Sequence, residues 1–413
     1  MTPFDRSGGA LHCEGVPLSD LAATHGTPLY VYSAAAIQDR YRAVVTAFSD
    51  YPHAIHYALK ANSTLGIARL VRRLGAGADA NSGGEIDVAL RAGFLPSQIV
   101  FTGVGKTDEA LAHALDLDVR TINAESEGEL ERIDTIAASR ATRARVAVRV
   151  NPDIDAGSHP HISTGLKTNK FGIALDDARE ICRKAAARAG LEIVGLHTHV
   201  GSQITELEPL RHAARALVDL AADLRGAGIR VDHLDIGGGL GISYDGQPVP
   251  SATEYAAAVL PILRESGLTV ILEPGRFLVG AAGVLVSRVI DVKPQAGGKL
   301  FVILDAGMTE LMRPMLYNAF HRIEPVEITG DVAAICDIVG PLCETSDTLG
   351  KDRCLPKPRI GDLLVVFDTG AYGAVMASNY NRRPMPAEVL VEDGRPALIR
   401  RRQTIDDLVA LET

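Results

Sequence analysis

Between residues 54 and 275, short apolar runs alternate with longer stretches whose apolar residues recur every three or four positions. The short runs are Ile55–Leu59, Ala76–Ala80, Ile99–Thr102, Val119–Asn123, Arg145–Val150, Ile193–Thr198, His233–Ile236 and Val270–Glu273. Each is too short for a helix and is bounded by turn-forming residues, so each reads as a strand. The longer stretches include DEALAHALD, ESEGELERIDTIAAS, DDAREICRKAAARAG, LEPLRHAARALVDLAADLRGAG and SATEYAAAVLPILRESG. Several open on Asp, Ser or Glu and close in Gly, as helices start and stop. Eight such strands alternating with helices predict a (β/α)8 TIM-like barrel.

Near residue 283 the pattern changes. GVLVSRVIDVKP, KLFVILDAG, RIEPVEITG, AAICDIVG, GDLLVVFDTG and AEVLVEDGRPALIRR read as strands with no helix between them. Turns rich in Gly, Pro and Asp separate them, which predicts an all-β sandwich or barrel domain. Another strand-like run, TPLYVYS, lies near residue 30 and is expected to join that domain. The expected division is a barrel over 30–280, with 1–29 and 281–413 forming the β domain.

Composition narrows the function. At 413 residues the chain exceeds one ordinary core and suits a two-part plan. Its formal net charge of −9 argues against nucleic acid, which needs a basic face. MTPFDRSGGALHCEG has no basic region followed by an apolar core, so no signal peptide is expected. No apolar run reaches the ~18 residues of a membrane span. Five cysteines, Cys13, Cys182, Cys336, Cys343 and Cys354, are odd in number and irregularly spaced. They suit reduced thiols in a cytoplasmic protein better than a disulfide framework. Neither CxxC nor HExxH occurs, and no metal is expected.

The chemistry gathers where barrel enzymes keep it, at the C-terminal ends of the strands. Lys60 ends the run HYALK, and DANSGGE, FTGVGK, INAES, RVNP, HTHVGSQ, DIGGGLG and EPGR follow the later strands in turn. A lysine at a strand exit is ordinarily solvated. Held partly desolvated, its amine is a nucleophile that forms imines with carbonyl compounds. The Gly-rich DIGGGLG, with EPGR beside it, suits a phosphate, because glycines let backbone N–H groups approach an anion. Ser202 adds a hydroxyl donor. A phosphate site facing a strand-end lysine points to pyridoxal phosphate. Lys60 would hold its aldehyde, His199 would stack on its ring, and Glu273 would face its pyridine nitrogen.

HYALKANS, DANSGGEID, STGLKTNKFGI, HTHVGSQI, LDIGGGLGI, EPGR, DAGMTELMRPMLYNA, GPLCETSDTLGKDR and GAYGAVMASNYNRRPMPAEVLV occur in order from about residue 25 to residue 405. Together they resemble the alanine-racemase-fold decarboxylases that use pyridoxal phosphate, and within them the branch acting on diaminopimelate. The resemblance implies the fold type III plan, a barrel with a C-terminal β domain, in a head-to-tail homodimer with shared active sites. It implies that Lys60 forms the internal aldimine, with His199 against the ring and Glu273 at its nitrogen. Asp79, Ser202, Gly237, Gly238, Gly239, Gly241, Pro274, Gly275, Arg276 and Tyr372 would complete the cofactor site. Arg276, Arg313, Tyr317, Glu344 and Tyr372 would bind the substrate, and Cys343 of the partner subunit would donate the proton. The implied reaction turns meso-2,6-diaminopimelate into L-lysine and carbon dioxide, the last step of lysine biosynthesis.

Asn81 and Thr345-Ser346 depart from the pattern, at positions that resemblance gives an apolar residue and Ser-Gly. A decarboxylase for ornithine or arginine reads no far carboxylate, so Arg313 separates that alternative. A silent homologue would lack Lys60 or Cys343. The polar segment over 157–170 has the composition of a mobile lid.

Overall fold

The computed structural model describes residues 3–155, 164–166, 168–294, 296–328 and 332–413. The chain forms two compact units, one of Arg40–Ile242 and Pro248–Phe277, the other of Met1–Asp39, Ser243–Gln247 and Leu278–Thr413.

The first unit is a closed parallel barrel. Its strands are β1 (His53–Ala58), β2 (Gly77–Ala80), β3 (Ile99–Phe101), β4 (Thr121–Ala124), β5 (Ala144–Asn151), β6 (Leu191–His197), β7 (His233–Asp235) and β8 (Thr269–Leu272). Each pairs in parallel with the next, and β8 pairs back with β1 through Val270, Ile271 and Leu272. Strands β2, β3, β4 and β7 are buried at every position, as expected of strands covered on both faces. Small residues make room inside. A Cβ on Gly195 would lie 2.4 Å from His233 Nε2, and one on Gly77 would lie 2.7 Å from the His56 ring.

Helix starts are chemically marked. Ser126 accepts the Glu129 N–H before the helix Glu127–Ser139. Ser251 and Glu254 exchange reciprocal side-chain bonds at the start of Ala252–Leu263. Such caps satisfy N–H groups that have no partner within the helix.

The lysine of FTGVGK has a structural role. Lys106 Nζ donates to Gly103 O (2.8 Å), Asn123 O (2.7 Å) and Glu129 Oε1 (2.7 Å). Its side chain is 1% exposed and that of Glu129 3%. All three N–H bonds are used, so the loop after β3 is tied to β4 and to the following helix. Lys106→Met leaves a buried carboxyl and two carbonyls without their donor. The expected loss is about 3–5 kcal/mol, read as a lower urea midpoint; a change below about 1 kcal/mol contradicts it.

The second unit is mostly sheet. It contains β9 (Gly283–Pro294), β10 (Leu300–Leu304), β11 (Ile323–Pro325), β12 (Ala333–Val339), β13 (Thr348–Pro356), β14 (Leu363–Val366), β15 (Ala387–Glu392) and β16 (Arg395–Arg400). The run in TPLYVYS forms the strand Leu29–Ser33, inserted between β9 and β15. These pairings carry the second unit past residue 29, to Asp39. The main sheet runs β13-β12-β10-β9, then Leu29–Ser33, β15 and β16, while β14 pairs with β9 and β11. Phe4, Leu11, Leu18, Leu21, Val31, Val284, Val286, Val365, Phe367 and Val389 share one core. Two short helices, Arg313–Tyr317 and Ile405–Val409, lie where only strands were expected. Five residues opening on Arg-Pro show no helical period, but Pro suits a first turn that needs no N–H. Among the described residues, no helix is long and apolar enough to cross a membrane.

Candidate active site

Lys60 does not sit on a bare strand end. After β1 the chain makes one 3-10 turn, Leu59–Ala61, and Lys60 is its middle residue. The turn is pinned below by Tyr57, whose hydroxyl donates to Asn62 O at 2.8 Å. Lys60 Nζ lies 2.9 Å from Asp79 Oδ2 at the end of β2. The lysine side chain is 33% exposed and Asp79 is fully buried. The amine is therefore half withdrawn from water and aimed by a fixed carboxylate. Asn81 donates to the same Asp79 oxygen at 3.2 Å. That unexpected residue thus orients the partner of Lys60.

His199 follows β6. The Gly238 N–H donates to its Nδ1 at 3.3 Å. Nδ1 is therefore the acceptor, and the ring proton sits on Nε2. Burial, then the charges of Lys60 and Arg149, hold its pKa well below the ordinary value. The ring is a neutral plane, as stacking on an aromatic cofactor requires.

Glu273, just past β8, is 3% exposed. It faces His197 Nε2 at 3.3 Å and the Thr102 hydroxyl at 3.5 Å. Thr102 in turn accepts from Asn123 Nδ2 at 3.0 Å. Burial works to raise the Glu273 pKa, but His197, Lys60 and a bond with Asp235 outweigh it and hold the group as a carboxylate. A fixed buried anion is what a protonated pyridine nitrogen needs opposite it.

The glycine loop DIGGGLG opens on Asp235, the last residue of β7. Its N–H groups do not form an uninterrupted anion cradle. Gly237 N–H donates to Asp235 Oδ1, Gly238 N–H to His199, and Gly241 N–H to Ile204 O. One local and two tertiary contacts thus use three of the loop's N–H groups, and Gly239 and Leu240 supply the remaining two. The glycines serve close packing instead: a Cβ on Gly238 would lie 2.2 Å from Glu273 O, and one on Gly239 2.6 Å from Gly201 O. Nearby, Arg276 Nη2 donates to Ser202 Oγ at 3.1 Å. Pro274 O accepts the Ala58 N–H at 3.4 Å, tying EPGR to the strand that carries Lys60. In Gly275 a Cβ would lie 2.9 Å from that of Ala61.

The remaining candidates belong to the second unit. Arg313 opens its short helix and is 5% exposed, so it is no surface residue. Its Nη1 lies 2.7 Å from His321 Nε2. His321 Nδ1 lies 2.7 Å from Phe367 O, which fixes the tautomer: Nδ1 donates to the carbonyl and Nε2 accepts from arginine. The guanidinium also stacks on Tyr244, 4.5 Å from the ring centroid. Tyr317 ends the same helix, half-buried. Cys343 and Glu344 are exposed. Asn381 Nδ2 lies 3.4 Å from Cys343 Sγ. That bond and one from the Tyr380 hydroxyl hold the thiol below its ordinary 9.0. Tyr372, Asn381 and Arg382 all have positive φ, at 56°, 54° and 56°. Bulky residues in that region cost backbone strain, and such strain gathers at functional segments.

Sequence reasoning missed His197, Asp235, Thr102, Asn123, Tyr244, His321, Tyr380 and Asn381. The HTH doublet carried a signal, since alternate strand residues share a face. One donor atom each from His197, Asp235 and Glu273 lies within 4.8 Å of the others, a spacing that a metal ion could span. Hydrogen bonds engage His197 Nε2, Glu273 Oε2 and Asp235 Oδ1. Most of the segment read as a lid, over 157–170, lies outside the described residues.

The pyridoxal-binding-domain model of the pyridoxal-dependent decarboxylases matches residues 34–280. A diaminopimelate decarboxylase of Vibrio cholerae is 46% identical over 406 residues, covering 98% of this chain and 97% of its own. Among solved structures, diaminopimelate decarboxylase of Helicobacter pylori complexed with L-lysine superposes with a TM-score of 0.92 at 43% identity, covering 95% of this chain and 98% of that one. The M. jannaschii enzyme, also with L-lysine, gives 0.94 at 36% identity, covering 99% and 97%.

Proposed function

We propose, for a chain that belongs to the diaminopimelate decarboxylases within the pyridoxal-dependent decarboxylase family, that it converts meso-2,6-diaminopimelate into L-lysine and carbon dioxide. The observation that carries this reading is the barrel mouth, where a half-desolvated Lys60, a neutral His199 and a buried Glu273 carboxylate gather at strand ends. Pyridoxal phosphate, when bound, supplies an electron sink for the charge that a departing carboxylate leaves behind.

The chain's own residues do the rest. Lys60 would supply the amine that holds the cofactor. Asp79 aims that amine and offsets the charge of its ammonium form. His199 would offer its neutral ring to the cofactor, and Glu273 would stand as the anion opposite the ring nitrogen. Ser202, Gly239, the EPGR turn and Tyr372 are assigned to the phosphate. Arg276 and Arg313, with Tyr317, are assigned to the carboxylate that is retained, and Glu344 to the far ammonium. Planar guanidinium suits a carboxylate because it offers two parallel N–H bonds.

Cys343, contributed by the partner subunit of a head-to-tail homodimer, is assigned as the acid that protonates the α-carbon. A donor must carry its proton, and a thiol does so only below its pKa. Asn381 and Tyr380 hold that pKa below 9.0. Turnover is therefore expected to fall as pH rises through a value below 9.0. Cys343→Ala should fold, keep the cofactor, lose about 10²-fold or more in kcat and lose that alkaline limb. Near-normal turnover, or an unchanged limb, contradicts the assignment. The cofactor assignment itself is tested by absorbance: a colourless preparation with full activity overturns it.

A further inference from the structure

Asp235 ends β7 and Glu273 follows β8, on neighbouring strands paired through Asp235 and Ile271. The two residues are 0% and 3% exposed, and one carboxylate oxygen of each and a ring nitrogen of His197 fall within 4.8 Å of one another. Double ionisation is disfavoured for two buried acids this close, which favours one proton between them. Its location follows from the partners of each oxygen. Glu273 faces His197 Nε2 and the Thr102 hydroxyl, both able to donate. Asp235 Oδ1 accepts the Gly237 N–H at 2.9 Å. Asp235 Oδ2 is buried and has no donor among the described residues. A bare carboxylate oxygen there is costly, whereas an O–H has a candidate acceptor in the Glu273 carboxylate, one oxygen of which lies within 4.8 Å of one of Asp235's.

We infer that Asp235 is a positioning residue, a neutral acid that donates its proton to Glu273 and so fixes that group as the anion at the cofactor's ring nitrogen. Burial and the charge of Glu273 push the Asp235 pKa well above the usual carboxylate range, in the same direction. The charged or titratable groups around the pair are His197, His199, Lys60, Asp79, His56 and the Tyr255 hydroxyl. Through Gly237, whose O also accepts the Glu273 N–H at 2.7 Å, the acid ties the glycine loop to the ring-nitrogen carboxylate. The inference rests on the ring-nitrogen reading of Glu273.

The test compares D235A, D235N and E273Q as cofactor-loaded enzymes, with folding checked by thermal unfolding and cofactor content. Asparagine keeps an acceptor for Gly237 and a donor for Glu273. D235A should lose about tenfold or more in kcat, the scale of one charge-assisted hydrogen bond, and shift the cofactor absorbance. D235N should restore kcat to within about threefold of the wild type, with its pH profile and absorbance. D235N failing as badly as D235A, with E273Q also impaired, overturns the inference alone. Full activity in E273Q overturns the ring-nitrogen reading and this inference with it. Infrared spectra of the wild-type holoenzyme give a readout independent of variant folding. A protonated-acid carbonyl band at neutral pH is expected, and its complete absence overturns the inference.

Discussion

Lys60→Ala should fold and lose turnover by about 10³-fold or more, the scale seen when a covalent-catalysis residue is removed. The lysine stands on a single 3-10 turn with its amine 2.9 Å from a buried carboxylate. No other amine among the described residues shares that placement: Lys106, the fully buried lysine, already spends its three N–H bonds on Gly103, Asn123 and Glu129. Lys60→Arg should fare no better, because guanidinium does not deprotonate to become a nucleophile. Borohydride reduction of the holoenzyme should attach the cofactor to the wild type and not to either variant. Removing the ammonium also leaves Asp79 Oδ2 with Asn81 as its donor and no countercharge from Lys60, so thermal unfolding is measured alongside to separate lost stability from lost chemistry. Turnover within about tenfold of the wild type, from a variant that reduction leaves unlabelled, contradicts the role.

Arg313→Ala should lose about 10²-fold or more in kcat/KM for diaminopimelate, from the 2–5 kcal/mol typical of truncating a buried, hydrogen-bonded charge. The guanidinium is positioned from two sides. His321 accepts from Nη1 because Phe367 O holds its other nitrogen, and Tyr244 lies under the guanidinium plane. Arg313→Lys keeps the charge but loses the plane, the fork and the stacking, so it should rescue little. The discriminating readout is selectivity. A substrate with no far carboxylate, such as ornithine, gains nothing from Arg313, so its slow turnover should be unaffected. Equal losses on both substrates would mean that the arginine only supports the fold.

The barrel was legible because parallel strands covered on both faces become continuous apolar runs. Lys60, His199 and Glu273 were legible because each breaks such a run at its C-terminal end. His197 and Asp235 were passed over because they lie inside the runs and look like core positions. The partners of Arg313 could not be read locally: Tyr244 is far back in the chain, and His321 acts only because the Phe367 carbonyl sets its tautomer. The direction of the N–H groups in DIGGGLG was equally hidden, since His199 and Ile204 claim them through tertiary contacts. The 3-10 turn under Lys60 and the short helix of Arg313 were missed because neither is long enough to show a period.

The most direct test of the account is product analysis. The purified protein is incubated with pyridoxal phosphate and meso-diaminopimelate, with ornithine and arginine in parallel, and the amines formed are measured. Lysine from diaminopimelate, with little or no product from the other two, is the predicted result. A preference for ornithine or arginine would keep the cofactor chemistry and contradict the role of Arg313. No product from any substrate would contradict the proposed function itself.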